Sequence, residues 1–438
     1  MTITDLLTSF PGAARTEALQ SLLATGGDRP TLTSVAGSAA PLMLAAIQSP
    51  HPIVVIASDM DDAGYIYFDL ARALGEDAIA VFPSGYKRDI KYGQVDAPAV
   101  VLRTESLRRL ADPQGGVRFL VTYPEAIAEQ VAAASDIAAG TISLHVGDRL
   151  DFIGLQQQLR DKGFKEVDYV YEPGHFAVRG SILDIFGYGS ELPFRIDFFG
   201  DDVDSIRTFN IETQLSETRL DRVDIVSDVE AQAGTVKQSL LRFIHPDSLL
   251  AIRCPDSVID RVAAIAQTSL SVSAVHAAED SGTDLHAVDH IVDPTLFAAD
   301  FARFRRIYFT AGSEAPDASA TLNCQTSPQG LYHKNFELIS STLTDFLAKG
   351  YKLLILSDNP KQFERLRVIF QDRGDRIDFQ PVDGTIHEGF VDHAARRCIF
   401  TDHQIFDRFH RYTLRSDRAR SGRLALSLKE LNALEPGD

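Results

Sequence analysis

The sequence predicts a multidomain α/β protein, and three observations carry that reading. At 438 residues the chain is too long for one ordinary core, which suggests about three domains. Short β-branched runs alternate with helical periodicity on both sides of a β-rich middle. Composition is that of a soluble globular chain, 45% apolar and 24% charged, with no long polar or Pro/Gly-rich tract.

Residues 1–140 read as α/β. "PIVVIAS" (52–58), "AIAVFPS" (78–84) and "VRFLVTY" (117–123) are runs of the buried parallel-strand type. "DDAGYIYFDLARALG" and "VVLRTESLRRLA" have helical periodicity between them, and "YPEAIAEQVAAA" predicts a further helix after the third strand. Over 141–226 the rhythm changes to a small α+β domain: a strand and turn in "TISLHVGDRL", an amphipathic helix in "DFIGLQQQLRDKGF", then several strands. Residues 227–325 return to α/β, with strands at "LLAIRCP" and "RRIYFTA", and "VSAVHAAEDSGTDLHAVD" is too weakly patterned to assign.

A further α/β domain spans 330–425, with helices in "NFELISSTLTDFLAKG" and "PKQFERLRVIFQDRG" around the strand "YKLLILSD", and "RRCIFTDHQIF" running from strand into helix. The arginine-rich "RSDRARSGR" (415–423) reads as a solvated linker, and residues 426–438 as the start of another element.

A net charge of −18 argues against holding nucleic acid by bulk electrostatics and favours protein partners. Cys254, Cys324 and Cys398 have no metal or disulfide spacing, so they read as buried reduced thiols, which suits the cytoplasm. The N-terminus lacks the basic start and apolar core of a signal peptide, and no window approaches a membrane span. His387, His393, His403 and His410 are too widely spaced for a helical metal pair, and no nucleophile or base accompanies Asp184, Asp197 and Asp202. No catalytic and no metal residue is assigned.

One strand-to-helix turn, "TLTSVAGSAAPLMLAA" (31–46), invites comparison with a phosphate loop, G-x-x-x-x-G-K-[ST]. Ser34 stands where the first glycine belongs, and Gly37-Ser38 fall on its core. Ala40 replaces the lysine and Pro41 the hydroxyl. Without them no ammonium reaches the phosphates and no hydroxyl ligates Mg²⁺, and proline removes an N–H from the helix start. No Asp-Glu dipeptide occurs anywhere. The expectation is a degenerate P-loop without ATP turnover; a simple turn before a helix explains Gly37 and Ser38 better than residual nucleotide binding.

The most patterned stretch is 171–210, which alternates apolar and polar residues and places three arginines among seven acidic residues between Glu172 and Phe209. "GHFAVRGSILDIF", "PFRIDFFGDDVDSIRTFN" and Thr213-Gln214 closely resemble the small inserted domain shared by UvrB and the bacterial transcription-repair coupling factors (Mfd). The decayed loop at 34–41 and "HEGFVDHAARRCIFTDHQIFDRFHR" (387–411) point to the coupling factors rather than UvrB.

That resemblance implies a UvrB-like α/β domain split into 1–140 and 227–325, with 141–226 inserted between its halves. It implies docking of UvrA by Arg179, Arg195 and Phe199, and masking of that surface by other domains of the same protein. RNA polymerase, DNA, ATP and Mg²⁺ would be engaged by polymerase-binding and translocase domains beyond this stretch, so no cofactor is expected within it. The alternatives are a remnant nucleotide-binding helicase-like domain and a UvrB-like module for damaged DNA.

Spacing alone favours a blander role for the arginines, as braces pairing with neighbouring aspartates. Alternation in F-R-I-D-F-F places Arg195, Asp197 and Phe199 on one face and Phe194, Ile196 and Phe198 on the other. If the apolar face packs inward, all three docking residues face solvent. Arg207 and Asp204 read as structural, and Gly180 and Gly200 as turn or bulge glycines.

Overall fold

Strands from two distant stretches of chain share one sheet. The computed structural model describes residues 1–9, 12–87, 94–95, 97–112, 115–229, 235–253, 258–279 and 290–408. Its seven-stranded sheet runs in the order Ala320–Asn323, Pro30–Thr33, Arg305–Phe309, Leu249–Arg253, Ile53–Ile56, Phe119–Thr122, Ile79–Val81, and every neighbouring pair is parallel. The central runs are buried along their whole length, as continuous β-branched sequence requires when helices cover both faces. Helix Met60–Leu74 starts at Asp59, whose side chain accepts the Asp62 N–H at 2.9 Å.

One expectation for this part fails. The helix expected after the third strand is one turn, Pro124–Ile127, followed by the short strand Val131–Ala132. The backbone there is drawn into tertiary bonds: Gln130 N–H donates to His290 O at 2.6 Å, and Val131–Ala132 pair with Lys237–Gln238. Intrinsic propensity loses to those partners. The stretch left unassigned after Val272 continues a helix, Val258–Glu279, as far as Glu279. Cys254, His410 and the arginine-rich 409–423 lie outside the described residues, as do 426–438.

Residues 141–226 build their own six-stranded sheet, in the order Ser216–Leu220, Asp202–Phe209, Phe194–Phe199, Ile182–Ile185, His175–Arg179, Lys165–Glu166. All pairs are antiparallel except the last. Helix Phe152–Asp161 covers one face and contributes Leu155 and Leu159 to a separate core with Phe176, Leu183, Ile185, Ile196 and Ile206. The ladder of Thr141–His145 with Arg222–Val226 carries the chain in and out.

A mixed five-stranded sheet follows, in the order Thr326–Pro328, Phe390–Asp392, Arg397–Thr401, Lys352–Ser357, Gln380–Asp383. Helices Phe336–Ala348 and Pro360–Asp372 pack a core with Ile355 and Phe400. Its other side does not face water. Leu354, Leu356, Val382, Phe390 and Ile399 join the core of the seven-stranded sheet. Arg15 seals the edge with two 2.8 Å bonds to the fully buried Asp392.

Candidate protein-docking site

The face of the six-stranded sheet away from helix Phe152–Asp161 carries the predicted docking residues. Burial along Phe194–Phe199 alternates as F-R-I-D-F-F requires: Phe194, Ile196 and Phe198 are buried, Arg195 and Asp197 half-buried, Phe199 exposed. The strand register then lines up side chains that sequence spacing could not. Ala177, Asp184, Arg195, Arg207 and Arg219 are successive cross-strand partners, and Arg179, Ile182, Asp197 and Ser205 form the next row.

Asp184 is the anchor. Its side chain is 1% exposed and takes both Arg179 and Arg195. Arg195 grips it with two bonds, Nε to Oδ1 at 2.7 Å and a terminal nitrogen to Oδ2 at 2.9 Å, the planar fork geometry that arginine favours. That bonding pushes the guanidinium pKa further up. The remaining nitrogen donates to Gln214 O at 3.1 Å, and the guanidinium lies 4.7 Å from the Phe209 ring. Thus the Thr213-Gln214 signature has a local job: Asn210 Oδ1 caps the turn at the N–H groups of Glu212 and Thr213, and Arg195 ties its far end.

Arg195 therefore departs from the solvent-facing expectation. Its side chain is only 14% exposed, because the buried carboxylate beneath draws the charged head down. Arg179 reaches the same aspartate yet stays 38% exposed, lying over the Tyr169 ring at 5.3 Å. Phe199 is 81% exposed. It stands beyond the row of Arg179 and Asp197, next to the hairpin where Phe198 N–H meets Ser181 O. Gly180 and Gly200 sit at the two hairpin turns with φ of +65°, where a side chain would be strained.

Sequence reasoning missed three participants. Tyr169 and Tyr171 are exposed, with ring centroids 6.4 Å apart, and extend the patch beside Arg179. Arg219 continues the arginine row and is exposed. Arg207 pairs with Asp197, and its buried Nε has no acceptor. Alternation along the 216–220 strand could have placed Arg219, had the pairing register been known. The arrangement gathers cations and aromatics on one sheet face, residue types that are enriched among interface anchors.

The phosphate-loop candidates lie elsewhere, between Pro30–Thr33 and helix Ala39–Ala45 of the seven-stranded sheet. Ser34 and Gly37 both have φ of +53°, and Ala40 and Pro41 are buried inside the helix. His51, His245 and Asp247 bring ligand atoms within 4.8 Å of one another. The two imidazoles are stacked at 3.5 Å and nearly parallel, so their lone pairs run side by side instead of converging on one ion. The described thiols are buried, which pushes Cys324 up to about 11 and Cys398 up to about 12. Among the described residues no helix is long and apolar enough to cross a membrane.

Residues 142–230 match the family model described as "UvrB interaction domain". That span covers the sheet with its arginine row. The chain is also 27% identical over 240 residues to the transcription-repair-coupling factor of Escherichia coli (strain K12), covering 54% of this chain and 20% of that protein. It is 31% identical over 209 residues to that of Mycobacterium bovis, covering 46% and 17%, and 26% identical over 214 residues to that of Bacillus subtilis (strain 168), covering 48% and 17%. About half of the chain is similar to the transcription-repair-coupling factors. It spans about a fifth of the length of these curated relatives.

Proposed function

We propose that residues 141–226 dock the repair protein UvrA, and that the chain thereby recruits UvrA during transcription-coupled repair in the cytoplasm. One observation carries the reading. Within a UvrB interaction domain, Phe199 and Arg179 stand exposed on a sheet face that carries a cross-strand row of arginines, in a chain of net charge −18. Such a strip suits an acidic partner surface, with the aromatic side chain as the desolvated anchor. Arg195 serves the same surface from beneath, by holding Asp184 and the 210–214 turn.

In this reading the chain is a binding module and turns over no ATP. ATP use, movement on DNA and contact with RNA polymerase belong to other parts of the longer relatives, and those parts mask the docking face until it is needed. Calorimetric titration of UvrA with the wild-type chain and with Arg179→Ala and Phe199→Ala tests the proposal. Each change should weaken binding about ten- to a hundredfold, the usual cost of truncating an interface anchor. Unchanged affinity in two well-folded variants would overturn it.

A further inference from the structure

We infer that the phosphate-loop position of the seven-stranded sheet has become a seat for the chain's own third domain, occupied by His387-Glu388-Gly389. Several independent contacts point there. Ser38 N–H donates to Glu388 O at 3.1 Å, and Glu388 N–H returns to Ser38 Oγ at 2.9 Å. His387 N–H donates to Asp69 Oδ1 at 2.7 Å, and its ring stacks on Tyr65 with centroids 3.4 Å apart. Behind the segment, His403 Nε2 bonds His387 O at 2.9 Å. A β-carbon at Gly37 would lie 3.0 Å from Gly389 O and 3.1 Å from Glu388 O, so the incoming backbone occupies the space a side chain would fill.

A phosphate loop works by presenting free N–H groups to an anion. Here five of those donors are spent. Ser34 N–H goes to Gly312 O at 2.7 Å, Val35 N–H to Thr310 O at 3.0 Å, and Ala36 N–H to Thr326 Oγ1 at 2.8 Å. Ser38 N–H goes to Glu388, and Ala39 N–H turns back to Ala36 O at 3.1 Å. The carbonyl of Glu388 thus stands in for an anion, and the Glu388 carboxylate nearby makes the seat unfavourable for phosphate. Replacement of lysine by Ala40 and of the hydroxyl by Pro41 follows the same logic. Both are buried helix positions. The third domain has, on this inference, the task of closing the site, and the loop's remaining glycine is kept for close backbone approach.

Hydrogen exchange on the full chain, read by mass spectrometry or NMR, tests this. In the wild type the amides of Ser38, His387 and Glu388 should exchange at least about a hundredfold more slowly than the exposed loop amide of Glu314. Ser38→Ala removes one bond across the seam and should speed exchange at 387–389 about tenfold. Millimolar Mg-ATP should leave both segments unchanged. Fast exchange of His387 and Glu388 in the wild type overturns the inference, whether or not the variant folds. So does a folded Ser38→Ala protein with unchanged exchange, or ATP that deprotects 387–389.

Discussion

Asp184 decides how the residues above it should respond to mutation. Removing it strands two guanidinia over a buried position, and breaking such a buried pair costs about 3–5 kcal/mol. Asp184→Ala should therefore lower stability by roughly that amount in urea denaturation. Arg195→Ala should cost about 1.5–3 kcal/mol, since a charge-assisted fork and the Gln214 tether go together. Phe199→Ala should stay within about 0.5 kcal/mol because the ring touches little. A Phe199→Ala loss as large as that of Arg195→Ala would mean the ring is packed, contrary to its exposure. Face assignment was legible because β-strand alternation needs no partner. Depth was not: Asp184 lies 11 residues before Arg195, and only the register of two hairpins sets one above the other. Brace and docking residue had looked like rival readings. In the structure Arg195 braces from a half-buried position, Phe199 is exposed, and Arg179 braces while staying exposed.

At the level of elements, the buried Asp69 in helix Met60–Leu74 makes the joint with residues 387–389 sensitive to pH. Burial pushes its carboxyl up to about 7, with Glu388 adding to the rise while Ser38 and the His387 N–H oppose it. A carboxyl raised in the folded state favours folding below the unfolded value near 3.8. That contribution is lost as pH climbs through the folded value, because the unfolded chain releases its proton first. Between about pH 4 and pH 7 the wild type should therefore lose up to about 4 kcal/mol relative to Asp69→Asn, whose amide does not titrate. Parallel pH profiles of the two proteins in urea melts would remove Asp69 from this role. Strands and long helices were legible from periodicity, as with Ile53–Ile56 and Pro360–Asp372. The 123–134 helix was not, because Gln130 and Val131 spend their backbone groups on residues more than a hundred positions away. The seat at 34–41 was legible only by what it lacks; nothing in the motif names the segment that fills it.

Across the whole molecule the division into cores is unequal. The seven-stranded sheet and the 326–401 sheet share one continuous core, in which Leu354 and Ile399 stand with Val54 and Leu250. The inserted sheet keeps its own, and it joins the rest through the 141–145 and 222–226 ladder and the Arg108–Asp224 pair at 3.3 Å. Shared burial couples unfolding, whereas a thin connection lets a unit open by itself. Calorimetry should thus resolve two transitions, one for the insert and one for everything else described. Ile196 and Leu354 report on them separately. Ile196→Ala removes a side chain fully buried in the inserted core and should cost about 2–5 kcal/mol in the insert's transition alone. Leu354→Ala should act to a similar extent on the other transition, moving the 326–401 unit and the seven-stranded sheet together. UvrA binding should fall with the first variant as temperature approaches the insert's midpoint, and remain near the wild-type value with the second. One cooperative transition shifted by either substitution would refute the separation, and would mean the docking face cannot open or close without the body of the protein.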